Sequence, residues 1–213
     1  VWLIVGLGNP GGKYALNRHN IGFMALDAYS TSIGAPRWKE ERQAFILKFK
    51  MEDEEVLFAL PQTYMNKSGE SVRTIKDYYG IDIAKLIVIH DEIDIGFGAV
   101  KIQKNRGPGG HNGLKSINEM LGTQDYTRLK LGVGRSTNPH IDVATHVLQN
   151  FSSEEQPHLH EFLAYAGDAM EMLIFDGYDK AATKFTRGAL IEASPVAKTS
   201  NSNGGSAPPA QEG

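Results

Sequence analysis

The chain has 213 residues, 41% hydrophobic and 22% charged, which is enough apolar material for one globular core and too short to favour two. It contains no cysteine, which excludes disulfides, thiolate nucleophiles and cysteine-ligated zinc and fits a reducing compartment. A formal net charge of −3 exerts no global pull on a polyanion, so nucleic acid would have to be met by a local basic patch. No stretch approaches the roughly 18 consecutive apolar residues of a membrane span, and the opening VWLIVGLGNP is broken too soon by Gly and Pro for a signal peptide. A soluble, cytoplasmic, monomeric protein is expected.

Residues 2 to 7 form a short apolar run that reads as a buried strand, followed by a turn at Gly8-Asn9-Pro10-Gly11-Gly12. From Asn20, a plausible N-cap, the pattern turns helical through Ile21, Met24, Ala25 and Ala28. Residues 43 to 49 and 55 to 60 read as two strands joined by an acidic turn, and Asn66 opens a second helix carrying Val72, Ile75 and Tyr79. Leu86 to Ile89 is a buried strand that delivers His90-Asp91-Glu92 at its end, where parallel sheets place their chemistry. A strand over residues 100 to 103 leads through a glycine-rich loop into a helix from His111-Asn112, with Leu114, Ile117 and Leu121 facing inward. Another strand follows over residues 128 to 133.

Ser153 to Gln156 offers a capping box for a long helix with Leu159, Phe162, Leu163, Ala166, Met170 and Leu173 on one side, and a shorter helix starts near Tyr178. Strands alternating with helices imply a single α/β domain over residues 1–191, with a mixed, largely parallel sheet sandwiched between helices. Residues 194–213, rich in Ser, Gly, Pro and Ala, are expected to be a disordered tail.

Gly6-Leu7-Gly8-Asn9-Pro10-Gly11 satisfies the dinucleotide-binding pattern G-x-G-x-x-G. The residues after it are polar and lack the apolar stripe of a pyrophosphate-binding helix, and no acid ends a second strand about twenty positions on, so that reading is rejected. Between Lys101 and Arg135 there are seven basic residues (Lys101, Lys104, Arg106, Lys115, Arg128, Lys130, Arg135) against two acids, Glu119 and Asp125. This is the local patch that the net charge leaves as the route to a polyanion. The chain holds no G-x-S-x-G and no H-E-x-x-H, and His158-x-His160 points two ways on a helix, so no metal site is expected.

The string GLGNPGGKYALNRHNIGF, with Tyr64-Met65-Asn66-Lys67-Ser68-Gly69, His90-Asp91-Glu92-Ile93-Asp94 and Gly109-Gly110-His111-Asn112-Gly113, resembles the bacterial-type peptidyl-tRNA hydrolases over about residues 1 to 190. The resemblance implies a catalytic His19 oriented by Asp91, an Asn112 stabilising the developing oxyanion, and substrate contacts from Asn9, Tyr14, Met65, Asn66 and His111. It implies hydrolysis of the ester joining a peptide to tRNA, with no cofactor. The residue types suit that chemistry. An activated ester can be opened by water; an imidazole near neutral pKa can take the water's proton, worth about a hundred- to ten-thousand-fold, and a carboxylate on its other nitrogen fixes the tautomer.

Relatives clamp the tRNA 5′ phosphate with basic side chains. Alignment on the GGHNG loop puts one such lysine on Gln103 and an arginine on Lys130, so Lys101, Lys104 and Arg106 are expected to share the tRNA contact with Lys130. Asn17 in place of a common Thr, and Pro108 before the loop glycines, are departures that remove no reacting group. The competing reading, of a different class, is an RNA-binding scaffold without turnover.

Overall fold

The computed structural model describes residues 1–185; the expected end of the core near Ile191 and the tail at 194–213 lie outside these. One seven-stranded sheet runs through the molecule in the order β2-β3-β4-β1-β5-β7-β6. Its strands are β1 (Trp2–Gly6), β2 (Lys39–Glu41), β3 (Ala44–Met51), β4 (Glu54–Pro61), β5 (Leu86–Glu92), β6 (Val100–Lys104) and β7 (Thr127–Gly132). The four central strands β4, β1, β5 and β7 are parallel, and the outer pairings β2-β3, β3-β4 and β6-β7 are antiparallel. This is the mixed, largely parallel α/β sheet that the alternation of patterns implies.

Helices α1 (Ile21–Ser32), α2 (Ser68–Tyr79), α3 (Asn112–Leu121), α4 (Val143–Val147), α5 (Gln156–Phe175) and α6 (Tyr178–Phe185) complete the described fold. β1 is apolar on both faces because both are covered. Ile4 faces a core built with Ile21, Leu26, Phe162, Met170 and Phe185 of α1, α5 and α6. Leu3 and Val5 face the opposite core, with Val72 and Ile75 of α2 and Leu114 and Ile117 of α3. No helix among the described residues is long and apolar enough to cross a membrane.

The G-x-G motif is a packing device. A Cβ on Gly6 would come 2.4 Å from the Gly22 carbonyl oxygen, and one on Gly22 would come 2.4 Å from the Ile89 carbonyl oxygen. Bare backbone on both sides lets α1 lie directly on the carboxyl ends of β1 and β5, so these glycines serve helix packing.

Several expected boundaries shift, each for a local reason. Asn20 occupies the N-cap position of α1 but makes no capping bond; its amide is spent elsewhere, as described below. Asn66 falls in a 3-10 turn, Met65–Lys67, and α2 begins at Ser68. β5 continues through His90 and Asp91, which pair in register with Lys130 and Leu131, so Asp91 is a strand residue, not a turn residue. The capping box before α5 is Ser152 with Glu155, one residue earlier than expected: Glu155 N–H donates to Ser152 Oγ and Ser152 N–H to Glu155 Oε1. β2 and α4 were not anticipated; each is too short to show a period.

Candidate active site

The carboxyl ends of β1, β4 and β5 open on one side of the sheet, and the loops leaving them converge there with the N-terminus of α3. Asn9, just past β1, is held in three ways. Its N–H donates to Asn20 Oδ1 at 2.9 Å, its carbonyl accepts from Asn20 Nδ2 at 2.9 Å, and its side-chain Oδ1 accepts from the Met65 N–H at 2.8 Å. These bonds fix the flip of the Asn9 amide, leaving its NH2 group for the cleft that Asn9 lines.

Asp91, 3% exposed, bridges two imidazoles. Its Oδ2 lies 2.8 Å from His19 Nδ1 and its Oδ1 lies 2.9 Å from His111 Nε2. A carboxylate only accepts, so both nitrogens carry the proton. The rings differ in their far nitrogens. His111 is the N-cap of α3, and its Nδ1 accepts from the N–H groups of Gly113 and Leu114 at 3.1 and 3.3 Å, so its lone pair is committed to the helix. Among the described residues His19 Nε2 has no partner, and the ring lines the cleft.

Burial pulls the His19 pKa down, but the charge and hydrogen bond of Asp91 outweigh it and hold the pKa above the ordinary 6.5. Burial raises the Asp91 pKa, and the two facing imidazoles more than reverse this, keeping the carboxyl ionised well below the usual range. His90, fully buried, is held neutral chiefly by desolvation, and its Nδ1–H donates to the Asp91 carbonyl at 2.8 Å. Among the described residues one group, His19, Asp91 and His111, has metal-ligand types with donor atoms within 4.8 Å of one another. Its facing atoms are already joined by N–H···O bonds and His111 Nδ1 is spent on the helix, so the arrangement suits proton handling better than a cation.

The cleft above this triad has a volume of about 660 Å³. Tyr64, Met65 and Asn66 form one side, Gly109 to Asn112 another, and Val143, Ala144, Val147 and Leu148 of the α4 segment an apolar wall. Among the described residues no serine, threonine, cysteine or lysine lines it. Among the described residues nothing engages the amide of Asn66 or of Asn112, both exposed; α3 is capped by His111, which frees Asn112.

A family model, "Peptidyl-tRNA hydrolase", matches residues 3–193 of this chain. The chain belongs to the peptidyl-tRNA hydrolase family. A peptidyl-tRNA hydrolase of Bdellovibrio bacteriovorus is 56% identical over 185 residues, covering 87% of this chain and 99% of that protein. One from Syntrophotalea carbinolica is 42% identical over 189 residues, covering 89% and 98%. The crystal structure of the Acinetobacter baumannii peptidyl-tRNA hydrolase superposes with a TM-score of 0.81 at 31% identity, over 89% of this chain and 96% of that one.

For a member of the peptidyl-tRNA hydrolase family, the expected residues divide into two groups. His19, Asp91, Asn9, Met65, Asn66, His111 and Asn112 all line the cleft. Tyr14 does not; it is half-buried at the end of the otherwise exposed 3-10 turn Gly12–Tyr14, with Lys13 Nζ 5.5 Å from its ring centroid. Lys101, Lys104, Arg106 and Lys130 are also outside the cleft. Lys101 and Lys130 pair across β6 and β7, and Lys130 Nζ lies 3.5 Å from Glu92, which does line the cleft. Lys104 and Arg106 are exposed. Arg128, counted in the basic segment, is buried and donates to the Gly107 carbonyl at 2.9 Å, so it shapes the glycine-rich loop from within.

Sequence reasoning missed Asn20 as the clamp on Asn9, Tyr64 on the rim, the α4 wall, and the anchoring of Arg18. The signal for Asn20 was present but ambiguous, since an Asn before a helix reads as a cap whichever backbone group its amide grips.

Proposed function

We propose that this chain hydrolyses the ester between a peptide, or an N-blocked aminoacyl group, and the 3′-terminal ribose of tRNA, recycling tRNA released during translation in the cytoplasm. The observation that carries the reading is the asymmetry of the His19 ring, held by Asp91 at Nδ1 and unpartnered at Nε2 in a cleft flanked by free amides.

Nε2 takes the proton of a water as that water attacks the ester carbonyl. Asp91 stabilises the imidazolium that forms and keeps the ring in its tautomer. The Asn112 amide donates to the carbonyl oxygen as negative charge develops, a bond typically worth about 3–4 kcal/mol in the transition state. Collapse passes the proton from His19 to the ribose oxygen, releasing the tRNA 3′ hydroxyl and a carboxylic acid. Asn9 and Asn66 hold the peptide backbone beside the scissile bond without reading side chains, which permits broad peptide use. No covalent intermediate and no cofactor is needed, in keeping with a cleft that offers no hydroxyl, thiol or amine except the Tyr64 phenol. Lys101, Lys104, Arg106 and Lys130 hold the acceptor end and its 5′ phosphate.

The test is turnover of N-acetyl-aminoacyl-tRNA by the protein, with intact-mass spectra taken during the steady state. The reading predicts release of N-acetyl amino acid and free tRNA, with no acyl adduct on the protein. Tight tRNA binding without release would favour the scaffold reading, and an acyl adduct would replace water with a protein nucleophile.

A further inference from the structure

Arg18 immediately precedes the ring that faces the cleft, and no step above uses it. It is 7% exposed. One guanidinium nitrogen lies 2.7 Å from Glu155 Oε1, another lies 3.2 Å from the His146 carbonyl oxygen, and its carbon is 5.8 Å from the Phe151 ring centroid. Its Nε is buried without a partner. The backbone joins the same clasp: the Arg18 N–H donates to the Gln149 carbonyl at 3.1 Å. Asn17 forms a bridge with Asn150, and Asn17 Nδ2 donates to Asn150 Oδ1 at 2.8 Å.

The residues gripped by Arg18 and Asn17 run from the end of α4 to the capping box of α5, and α4 with Leu148 is the apolar wall of the cleft. Glu155 serves twice, capping α5 and receiving Arg18. An ion pair this buried contributes little net stability, because desolvating the two charges cancels most of their attraction. What it supplies is a fixed direction, since a planar guanidinium holds its acceptors at set angles.

We infer that Arg18 is a positioning residue that ties the apolar wall of the cleft to the His19 turn, so that ring and wall keep their spacing as one body. The inference rests on the reading of His19 as the base. A displacement of about 1 Å at a reacting group costs on the order of a hundredfold in rate, so the clasp acts on the chemical step.

The experiment compares Arg18→Met, Arg18→Lys and Glu155→Gln with the unaltered protein, by kcat and KM on N-acetyl-aminoacyl-tRNA and by NMR titration of the His19 ring. Arg18→Met is expected to lower kcat about a hundredfold while KM moves little. Arg18→Lys, which keeps the charge but cannot span both acceptors, should fall between. Glu155→Gln, which keeps an acceptor oxygen, should retain most activity.

His19 faces Asp91 of β5 at 2.8 Å and the His111 ring at 5.1 Å between centroids, while His146 and Glu155 flank Arg18. Removing the Arg18 cation alone raises the His19 midpoint; loosening the ring from Asp91 lowers it. A downward shift in Arg18→Met is therefore expected, and a purely structural role would not produce it. Arg18→Met with unaltered kcat and midpoint overturns the inference. If that variant does not fold, Arg18→Lys matching the unaltered protein in both readouts overturns it. The titration needs no turnover, so an inactive but folded protein would sink the proposed reaction and leave the shift to decide Arg18.

Discussion

Asp91 gives each of its oxygens to one imidazole, and the far nitrogens of those rings set the division of labour. His111 turns its lone pair to the start of α3, and His19 turns its own to the cleft. A base must be neutral to work, so activity should rise with pH through the His19 pKa, which Asp91 holds above 6.5 against the pull of burial. In Asp91→Asn the carboxylate charge is gone and burial is not, so the acid limb of the kcat profile should move to lower pH while kcat itself falls steeply. A pH profile of that variant with the limb unmoved would separate Asp91 from His19 function. The candidate residues that line the cleft were legible in the sequence because the motifs that carry them are long and specific. Spacing could not reveal which Asn grips backbone and which faces the cleft, since Asn20, Asn66 and Asn112 all stand at the start of an apolar helical pattern and differ only in what folds against them.

At the scale of elements, close helix contacts are set by glycine where backbone meets backbone. A Cβ on Gly69 of α2 would come 2.2 Å from the Ser116 carbonyl oxygen of α3. Gly69→Ala should therefore push the two helices apart and cost about 1–3 kcal/mol, lowering Tm by several degrees; an unchanged Tm would mean the contact yields freely. His111 tests the cap in the same way. His111→Ala strips two α3 N–H groups of their acceptor, at a cost of about 1 kcal/mol in unfolding free energy. His111→Asn should recover most of that stability without recovering the Asp91 contact. If both variants unfold alike, the ring is not the cap that matters. The 20-residue α5 was legible from its apolar spacing and the short β1 from an unbroken apolar run. β2 and α4 were not, because three residues of KEE and five of VATHV carry neither a period nor an apolar run, and α4 turned out to build one wall of the site.

Across the whole molecule, the sheet topology places the cleft at the carboxyl ends of its central strands and the basic side chains on the β6-β7 edge, with Glu92 touching both regions. With a net charge of −3 the whole field does not draw in a polyanion, so the proposed phosphate contact rests on that edge. Lys130 is partly withdrawn by burial, which lowers its pKa against the pull of Glu92. Lys130→Ala should raise KM for tRNA substrates and reduce the slope of log KM against log salt by about 1, with kcat nearly unaltered; an unmoved KM would remove Lys130 from the clamp. The edge was legible as a run of charges, but the buried place of Arg128 within it was not, because one-dimensional spacing does not tell a solvated guanidinium from one folded under a loop.

The proposed reaction depends on one imidazole nitrogen, unpartnered among the described residues, activating water at the acylated end of tRNA. Its most direct test is single-turnover hydrolysis of N-acetyl-aminoacyl-tRNA by His19→Ala at saturating protein, with tRNA affinity measured alongside. The cleavage rate should fall at least a hundredfold while tRNA affinity stays within a fewfold. Cleavage at the unaltered rate would contradict it.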